Sequence, residues 1–189
     1  MKSSQLDKGC GPEGFINVLR VSSYGIDMTE GPMIAVVGGS AVDDQTYLVA
    51  KEVGRLLAEA GAVVINGGYS GVMEAVSLGV NEAGGTVIGI LQGTDTHEGN
   101  PHLTYAIASG MGKGRNTIIA MTCDAMIAID GGYGTLSEVA QALNHGRPVV
   151  SLGSWDLDKG GQVDDDMFFK VKTPEEAVKT ALHMATRDR

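Results

Sequence analysis

The stretch CDAMIAIDGGYGTLSEVAQAL, residues 123–143, gives the clearest indication of the fold because it joins three different patterns in one unit. Its apolar run AMIAI is typical of a β-strand that is buried on both faces. After the glycine-rich turn DGGYGT, Leu136, Val139 and Leu143 recur at helical spacing. Glycines at this junction permit positive φ and let the backbone approach a ligand closely. The stretch therefore predicts a strand, a ligand-facing turn and an amphipathic helix.

The same alternation recurs along the chain from Met33 onward. Strands are predicted for MIAVV, AVVI, TVIGIL, YAIA, PVVSL and FFKV, with amphipathic helices between most of them. Short apolar strands that alternate with helices predict a parallel sheet covered on both faces. We therefore expect an α/β fold, a single Rossmann-like, doubly wound parallel sheet flanked by helices on both faces, in one nucleotide-phosphate-binding domain over residues 33–189. Residues 1–32 have no clear periodicity and are predicted to be an N-terminal extension of undefined order.

Composition and charge exclude several classes of protein. The net charge of −9 repels phosphate backbones, so nucleic acid is not an expected partner. No apolar run approaches the roughly 20 residues that span a bilayer, and the first residues do not resemble a signal peptide. The two cysteines, Cys10 and Cys123, lack disulfide or metal-site spacing, and His97 and His102 fit no standard metal site. We expect a cytoplasmic protein without membrane contact, metal or cofactor.

The glycine-rich turns favour a phosphorylated ligand over a dinucleotide. Ligands of doubly wound sheets bind beyond the carboxyl ends of the strands, where GGS, GGYSG and GGYGT are expected to lie. Ser137 stands where the dinucleotide fingerprint needs glycine or alanine, and Asn66 stands where a ribose-binding carboxylate is needed. GMGKGRNT does not match a P-loop. A helix N-terminus preceded by glycines still suits an anion, so we expect a small phosphorylated, nucleotide-like ligand.

Glu138 has two interpretations that its local sequence leaves open. Thr135 lies three residues earlier, which favours a capping box in which Thr135 is the N-cap and Glu138 closes the motif. Alternatively, Glu138 faces the ligand edge of the sheet, where a carboxylate stabilises a cationic sugar or orients a water molecule. The second interpretation predicts a catalytic role.

Three segments, GGYSGVMEAV, GKGRNTIIA and CDAMIAIDGGYGTLSEVAQAL, together resemble the LONELY GUY (LOG) superfamily, also called lysine decarboxylase-like. The superfamily pattern P-G-G-x-G-T-x-x-E, with an arginine on the preceding helix, is matched here by Gly131, Gly132, Gly134, Thr135, Glu138 and Arg115. The resemblance implies a phosphoribohydrolase that cleaves nucleoside 5′-monophosphates to free base and ribose 5-phosphate. It implies that Arg115 and Glu138 carry catalysis.

The resemblance and the glycine-rich strand ends together give the expected ligand-binding residues. These phosphate or ligand contacts are Gly38, Gly39, Ser40, Gly67, Gly68, Gly71, Asn116, Gly131, Gly132, Gly134 and Thr135. The resemblance also implies a homodimer or a dimer of dimers. The apolar segments MEAVSLGV and EVAQAL are candidates for that interface, and burial in the core is an equally good interpretation of them.

The chain departs from the enzyme pattern at three positions. Asp130 replaces the proline that opens the motif, and Ser137 replaces a glutamate. Asn116 follows Arg115, where the superfamily members that cleave cytokinin nucleotides tend to have lysine. These departures resemble a sister branch of the superfamily that includes molybdenum cofactor carrier proteins. The alternative to the enzyme is therefore a non-catalytic carrier of molybdenum cofactor or of a related phosphorylated heterocycle.

Overall fold

The computed structural model describes residues 20–21, 27–28, 31–157 and 166–186, and the chain divides into two units, 1–30 and 31–189. In the first unit, strand β1 (Arg20–Val21) pairs antiparallel with β2 (Asp27–Met28). The other residues of the predicted extension up to residue 30 lie outside the described part of the chain.

The second unit confirms the predicted α/β class, with seven parallel strands in one sheet. Its elements, in chain order, are β3 (Met33–Gly38), α1 (Asp44–Glu59), β4 (Val63–Asn66), α2 (Val72–Glu82), β5 (Thr86–Leu91), β6 (Tyr105–Ala108), α3 (Asn116–Thr122), β7 (Ala125–Ile129), α4 (Tyr133–Asn144), β8 (Val149–Leu152), β9 (Phe168–Val171) and α5 (Pro174–Ala185). Two short 3₁₀ helices, Thr96–Glu98 and Gly112–Arg115, precede β6 and α3.

The strand order β6-β5-β4-β3-β7-β8-β9 makes the sheet doubly wound. The unit starts at β3 in the middle, builds outward to β6, and then returns to place β7 on the other side of β3. Gly38 at the end of β3 is in register with Ile129 at the end of β7. The turns that follow these two strands therefore lie side by side, at the switch point where such sheets bind ligands.

Helices cover the sheet on both faces, as the apolar strands require. Ile34 and Val36 of β3 pack on one face, in a core shared with α1, α2 and α5. Ala35 and Val37 point to the opposite face, in a core shared with α3 and α4. All residues of β7 are buried. Two cores on opposite faces hold the strand ends at the switch point in fixed positions.

The N-cap residue predicted from the sequence is confirmed for one helix and is wrong for another. The sequence predicts Thr173 as the N-cap of the last helix, with Pro174 at its first position. Thr173 does cap α5, and its hydroxyl accepts a hydrogen bond from the Glu176 N–H at 3.2 Å. The N-cap of α4 is Gly132, which makes no side-chain cap bond. The interpretation of Thr135 as that N-cap is therefore wrong, because α4 begins three residues earlier than a Thr135 cap requires.

Candidate functional site

A cavity of about 240 Å³ opens at the carboxyl ends of β3 and β4, on the face covered by α3 and α4. We call it the α4 cavity. It is lined by Val37, Gly38, Gly39, Ser40, Gly67, Met73, Gln92, Lys113, Arg115, Asn116, Gly132, Gly134, Thr135 and Glu138. The structure therefore brings together most of the residues expected at the ligand site. Gly68, Gly71 and Gly131 do not line the cavity, and instead shape the turns around it.

Arg115 and Glu138 form a buried ion pair in the wall of the α4 cavity. Arg115 Nη1 donates to Glu138 Oε1 at 2.8 Å, and the two side chains are 5% and 8% exposed. Burial raises the pKa of Glu138 to about 7, although the charge of Arg115 and its hydrogen bond act in the opposite direction. Glu138 does not close a capping box, because it is the sixth residue of α4 and the motif needs a glutamate at the third. Near neutral pH, Glu138 can both hold and release a proton.

Gly67 makes room for the guanidinium group of Arg115. A Cβ at residue 67 would lie 2.2 Å from Arg115 Nη2, which is well inside van der Waals contact. Within the described ranges, the buried Arg115 Nε has no hydrogen-bond partner. A buried donor without a partner is costly, so this group is suited to a ligand or water in the adjacent cavity.

The N-terminus of α4 provides the features of an anion site. The N–H groups of its first turn have no acceptor within the helix, and the helix dipole places partial positive charge there. Thr135 is 3% exposed in this turn. Gly131 has φ 101°, and a Cβ there would lie 2.2 Å from Thr135 Oγ1. Only glycine therefore allows the turn to fold back onto the Thr135 hydroxyl.

Asn66 holds the other glycine turn in place. Its buried side chain accepts a hydrogen bond from the Gly68 N–H at 2.8 Å and donates to the Met73 carbonyl at 3.1 Å. At Gly71, φ is 68° and a Cβ would lie 2.3 Å from the Gly39 carbonyl oxygen. These contacts fix the turn that places Gly67 against Arg115.

The sequence missed several residues that line or brace the α4 cavity. Met73 and Val37 form part of its wall, and Gln92 follows directly after β5. Gln92 could have been predicted as a site residue from its position at the end of a predicted strand. Met73 and Val37 could not, because their apolar sequence patterns are the same as those of core residues. Trp155 also braces the site, because its Nε1–H donates to the Gly132 carbonyl at 3.1 Å.

His97 and His102 do not line the α4 cavity. His97 Nδ1 is 2.8 Å from Asp95 Oδ1, and the His97 side chain is 92% exposed. In the part of the chain that is described, no group of three or more His, Cys, Asp and Glu side chains is placed to hold a metal ion. Among the same residues, no helix has the length and apolar character needed to cross a membrane.

The fold and the site define a doubly wound α/β protein in which a glycine-preceded helix N-terminus lies beside a buried Arg–Glu pair. The SLOG cluster4 family model matches residues 31–186, and the chain belongs to that family. The resemblance to the LOG superfamily, and to its molybdenum cofactor carrier-like branch, is confirmed by the relatives and solved structures below.

Two sequence relatives have different coverage. An uncharacterised protein from Archaeoglobus fulgidus is 41% identical over 154 residues, which is 82% of this chain and 97% of the relative. The cytokinin riboside 5′-monophosphate phosphoribohydrolase LOG from Oryza sativa subsp. japonica is 36% identical over 113 residues. That match covers 54% of this chain and only 46% of the rice enzyme.

Two solved structures are similar over nearly their whole length. The molybdenum cofactor binding protein from Rippkaea orientalis has a TM-score of 0.76 at 34% identity, covering 82% of this chain and 98% of its own. The molybdenum cofactor carrier protein from Chlamydomonas reinhardtii has a TM-score of 0.73 at 28% identity, covering 83% of this chain and 99% of its own.

Proposed function

We propose that the α4 cavity binds a small nucleotide-like ligand through its 5′-phosphate. In this proposal Gly132, Gly134 and Thr135 hold the phosphate at the N-terminus of α4, where N–H groups and the helix dipole favour an anion. Lys113 lines the same cavity and adds a positive charge near the anion. The names of the rice and Rippkaea relatives support this class of ligand, because each describes a protein that acts on or binds a phosphorylated compound.

We further propose that the bound ligand is a nucleoside 5′-monophosphate and that the protein hydrolyses its N-glycosidic bond. Water adds to the anomeric carbon as the bond to the base breaks. The base leaves with the bonding electrons and takes a proton from solvent, which balances the proton that the attacking water gives up. Ionised Glu138 stabilises the cationic sugar in the transition state and accepts a proton from the water. Arg115 keeps a fraction of Glu138 ionised and orients it. The observation that carries this proposal is the buried Arg115–Glu138 pair in the cavity wall.

The test measures the release of base from AMP, GMP and N6-isopentenyl-AMP. Chromatography quantifies the free base and the ribose 5-phosphate. We expect wild type to release at least one base, and Glu138→Gln to lose about 10²–10⁴-fold in rate, which is the usual contribution of a positioned acid–base group. Glu74→Gln is the matched control, because Glu74 lies in α2, the helix that follows the other glycine turn, and does not line the α4 cavity. Equal turnover by wild type and Glu138→Gln would refute the catalytic role.

A second candidate function is a non-catalytic carrier of molybdenum cofactor or of a related phosphorylated heterocycle. It is favoured by the two carrier and binding-protein structures, whose chains are covered almost completely. Ser137, in place of the glutamate of the enzyme pattern, accepts a hydrogen bond from Gln141 on the surface of α4 and adds no charge to the cavity. The carrier predicts tight binding without turnover and protection of the cofactor from oxidation. Rapid oxidation of the bound cofactor would exclude it.

We also propose a cytoplasmic homodimer or dimer of dimers, with residues 33–189 as the ligand-binding domain. Most of the apolar residues of α2 and α4 that suggested an interface lie in the two cores. The support for an interface comes instead from Tyr105 and Ile107, which are 62% and 50% exposed on one face of β6. Light scattering of wild type and of Ile107→Lys measures the oligomeric state, and a monomeric wild type would contradict the proposed dimer.

A further inference from the structure

Gln92 lines the α4 cavity directly after β5, and neither proposed function uses its side chain. Its backbone is held on both sides. The N–H group donates to the Tyr69 hydroxyl at 2.9 Å, and the carbonyl accepts a hydrogen bond from the Gly112 N–H at 3.0 Å. Its carboxamide makes no hydrogen bond with any residue in the described ranges. The backbone of Gln92 is therefore fixed, while its side-chain donors and acceptor are available to a ligand.

The order of the strands places Gln92 at one end of the α4 cavity. The strands β7, β3, β4 and β5 are adjacent in the sheet, and neighbouring strands lie about 4.8 Å apart. The proposed phosphate contacts at the start of α4 follow β7, and Gly67, which lies against the Arg115 guanidinium, follows β4. Gln92 follows β5, one strand further from the phosphate. A ligand that extends from the phosphate past the Arg115–Glu138 pair therefore reaches Gln92 next.

This order matches the order of the groups in a nucleoside 5′-monophosphate. The sugar lies between the phosphate and the base, and the proposed reaction places its anomeric carbon beside Glu138. The base is bonded to that carbon, so it extends toward the β5 end of the cavity. Met73 gives this end an apolar surface, because it is 8% exposed, lines the cavity, and has its Sδ 2.6 Å from where a Cβ of Gly67 would be. A flat ring packs well against a thioether, with its edge toward Gln92.

The carboxamide of Gln92 suits a base that has a hydrogen-bond donor beside an acceptor, because it offers an oxygen acceptor and an NH₂ donor in one plane. Adenine has this pattern at its N6 amino group and N7, and glutamine binds both in a bidentate contact. Guanine has two acceptors, O6 and N7, on the same edge, which suit a lysine or an arginine instead. Lys113 is the cavity residue that would suit guanine, but it is exposed to solvent, where water competes for such a contact. The free polar side chain at this end of the cavity therefore favours adenine.

We propose that Gln92 is the specificity-determining residue of the α4 cavity, and that its carboxamide accepts a hydrogen bond from the N6 amino group of an adenine ring and donates one to N7. The inference rests on the proposed nucleoside 5′-monophosphate site, and it adds the residue that selects the base. Gln92 takes no part in breaking the N-glycosidic bond. It acts on the affinity for the base, and the Arg115–Glu138 pair acts on the chemistry.

The test measures binding by calorimetry in the Glu138→Gln background, so that no nucleotide is cleaved. Ribose 5-phosphate probes the phosphate site alone, and AMP, 7-deaza-AMP and GMP probe the contact with the base. We expect AMP to bind about tenfold or more tightly than GMP and than 7-deaza-AMP, in which a C–H group replaces N7. Gln92→Met keeps an unbranched side chain and removes its hydrogen bonds. It should bring both ratios to within about twofold and leave ribose 5-phosphate binding unchanged.

Gln45→Met is the matched control, because it makes the same chemical change in α1, at a residue that does not line the α4 cavity. It should keep both preferences. Equal binding of the three nucleotides, or a preference for AMP that survives in Gln92→Met, would overturn the inference while ribose 5-phosphate binding leaves the phosphate site intact. A preference for GMP would also overturn it and would point to Lys113. If ribose 5-phosphate itself does not bind, the phosphate site fails, and the inference fails with it.

Discussion

Replacing Gly67 with alanine tests whether the Arg115–Glu138 pair depends on the glycine turn that faces it. The new Cβ would lie 2.2 Å from Arg115 Nη2 and 2.6 Å from Met73 Sδ, so at least one of these groups must move. Both belong to buried residues, so neither movement is free. Overpacking of this kind costs about 1–3 kcal/mol of unfolding free energy.

The larger effect is expected on the chemistry of Glu138. Arg115 lowers the pKa of Glu138 through its charge and its hydrogen bond, and burial raises it. Displacement of Arg115 leaves burial unopposed, so the pKa of Glu138 in Gly67→Ala should rise above about 7. If ionised Glu138 is the catalytic form, base release at neutral pH should fall by about tenfold to a hundredfold, a part of the usual acid–base contribution.

Three measurements check this prediction: urea denaturation, base release, and an NMR titration of the Glu138 carboxyl carbon. Gly114→Ala is the matched control, because residue 114 precedes Arg115 and the nearest atom to its Cβ would be 3.9 Å away. It should behave as wild type. A Gly67→Ala protein with an unchanged Glu138 pKa and a stability within about 0.5 kcal/mol of wild type would refute the argument.

Three further predictions follow from the site. The raised pKa of Glu138, about 7 against a reference of 4.5, means that wild type loses stability relative to Glu138→Gln as pH rises through that window, by about 3 kcal/mol. Urea melts of both proteins at about pH 4 and pH 8 measure this difference, and parallel profiles would contradict it. Thr135→Val should weaken ribose 5-phosphate binding about tenfold or more in calorimetry, because hydrogen bonds to charged groups are strong, and unchanged affinity would remove Thr135 from the phosphate site. Asn66→Ala should lower the unfolding free energy by about 2–3 kcal/mol, because it leaves the buried Gly68 N–H without its acceptor, and a change below about 1 kcal/mol in urea would show that the turn holds without it.

The fold was predictable because its signals are local. Each strand of the sheet is a short apolar run, each helix has its apolar residues at helical spacing, and glycines mark the turns between them. The segment GKGRNTIIAMT shows the limit of this approach. Its pattern predicts one helix, but Gly112–Arg115 forms a 3₁₀ turn and α3 begins only at Asn116. Two glycines in the segment lower its helix propensity, and the 3₁₀ turn is what delivers Arg115 to the cavity wall.

The class of fold and the edge of the sheet that carries the α4 cavity could be predicted from the sequence alone, because both follow from patterns within a few residues of one another. The sequence could not decide whether Glu138 closes a capping box or faces a ligand, since the segment from Thr135 to Glu138 is compatible with both. That choice depends on Arg115, which is 23 residues away along the chain and reaches Glu138 only because α3 packs beside α4. The same holds for Gly67, which contacts Arg115 because β4 and β7 flank β3 at the switch point. Contacts between distant residues are set by the packing of whole elements, so only the tertiary structure decided them.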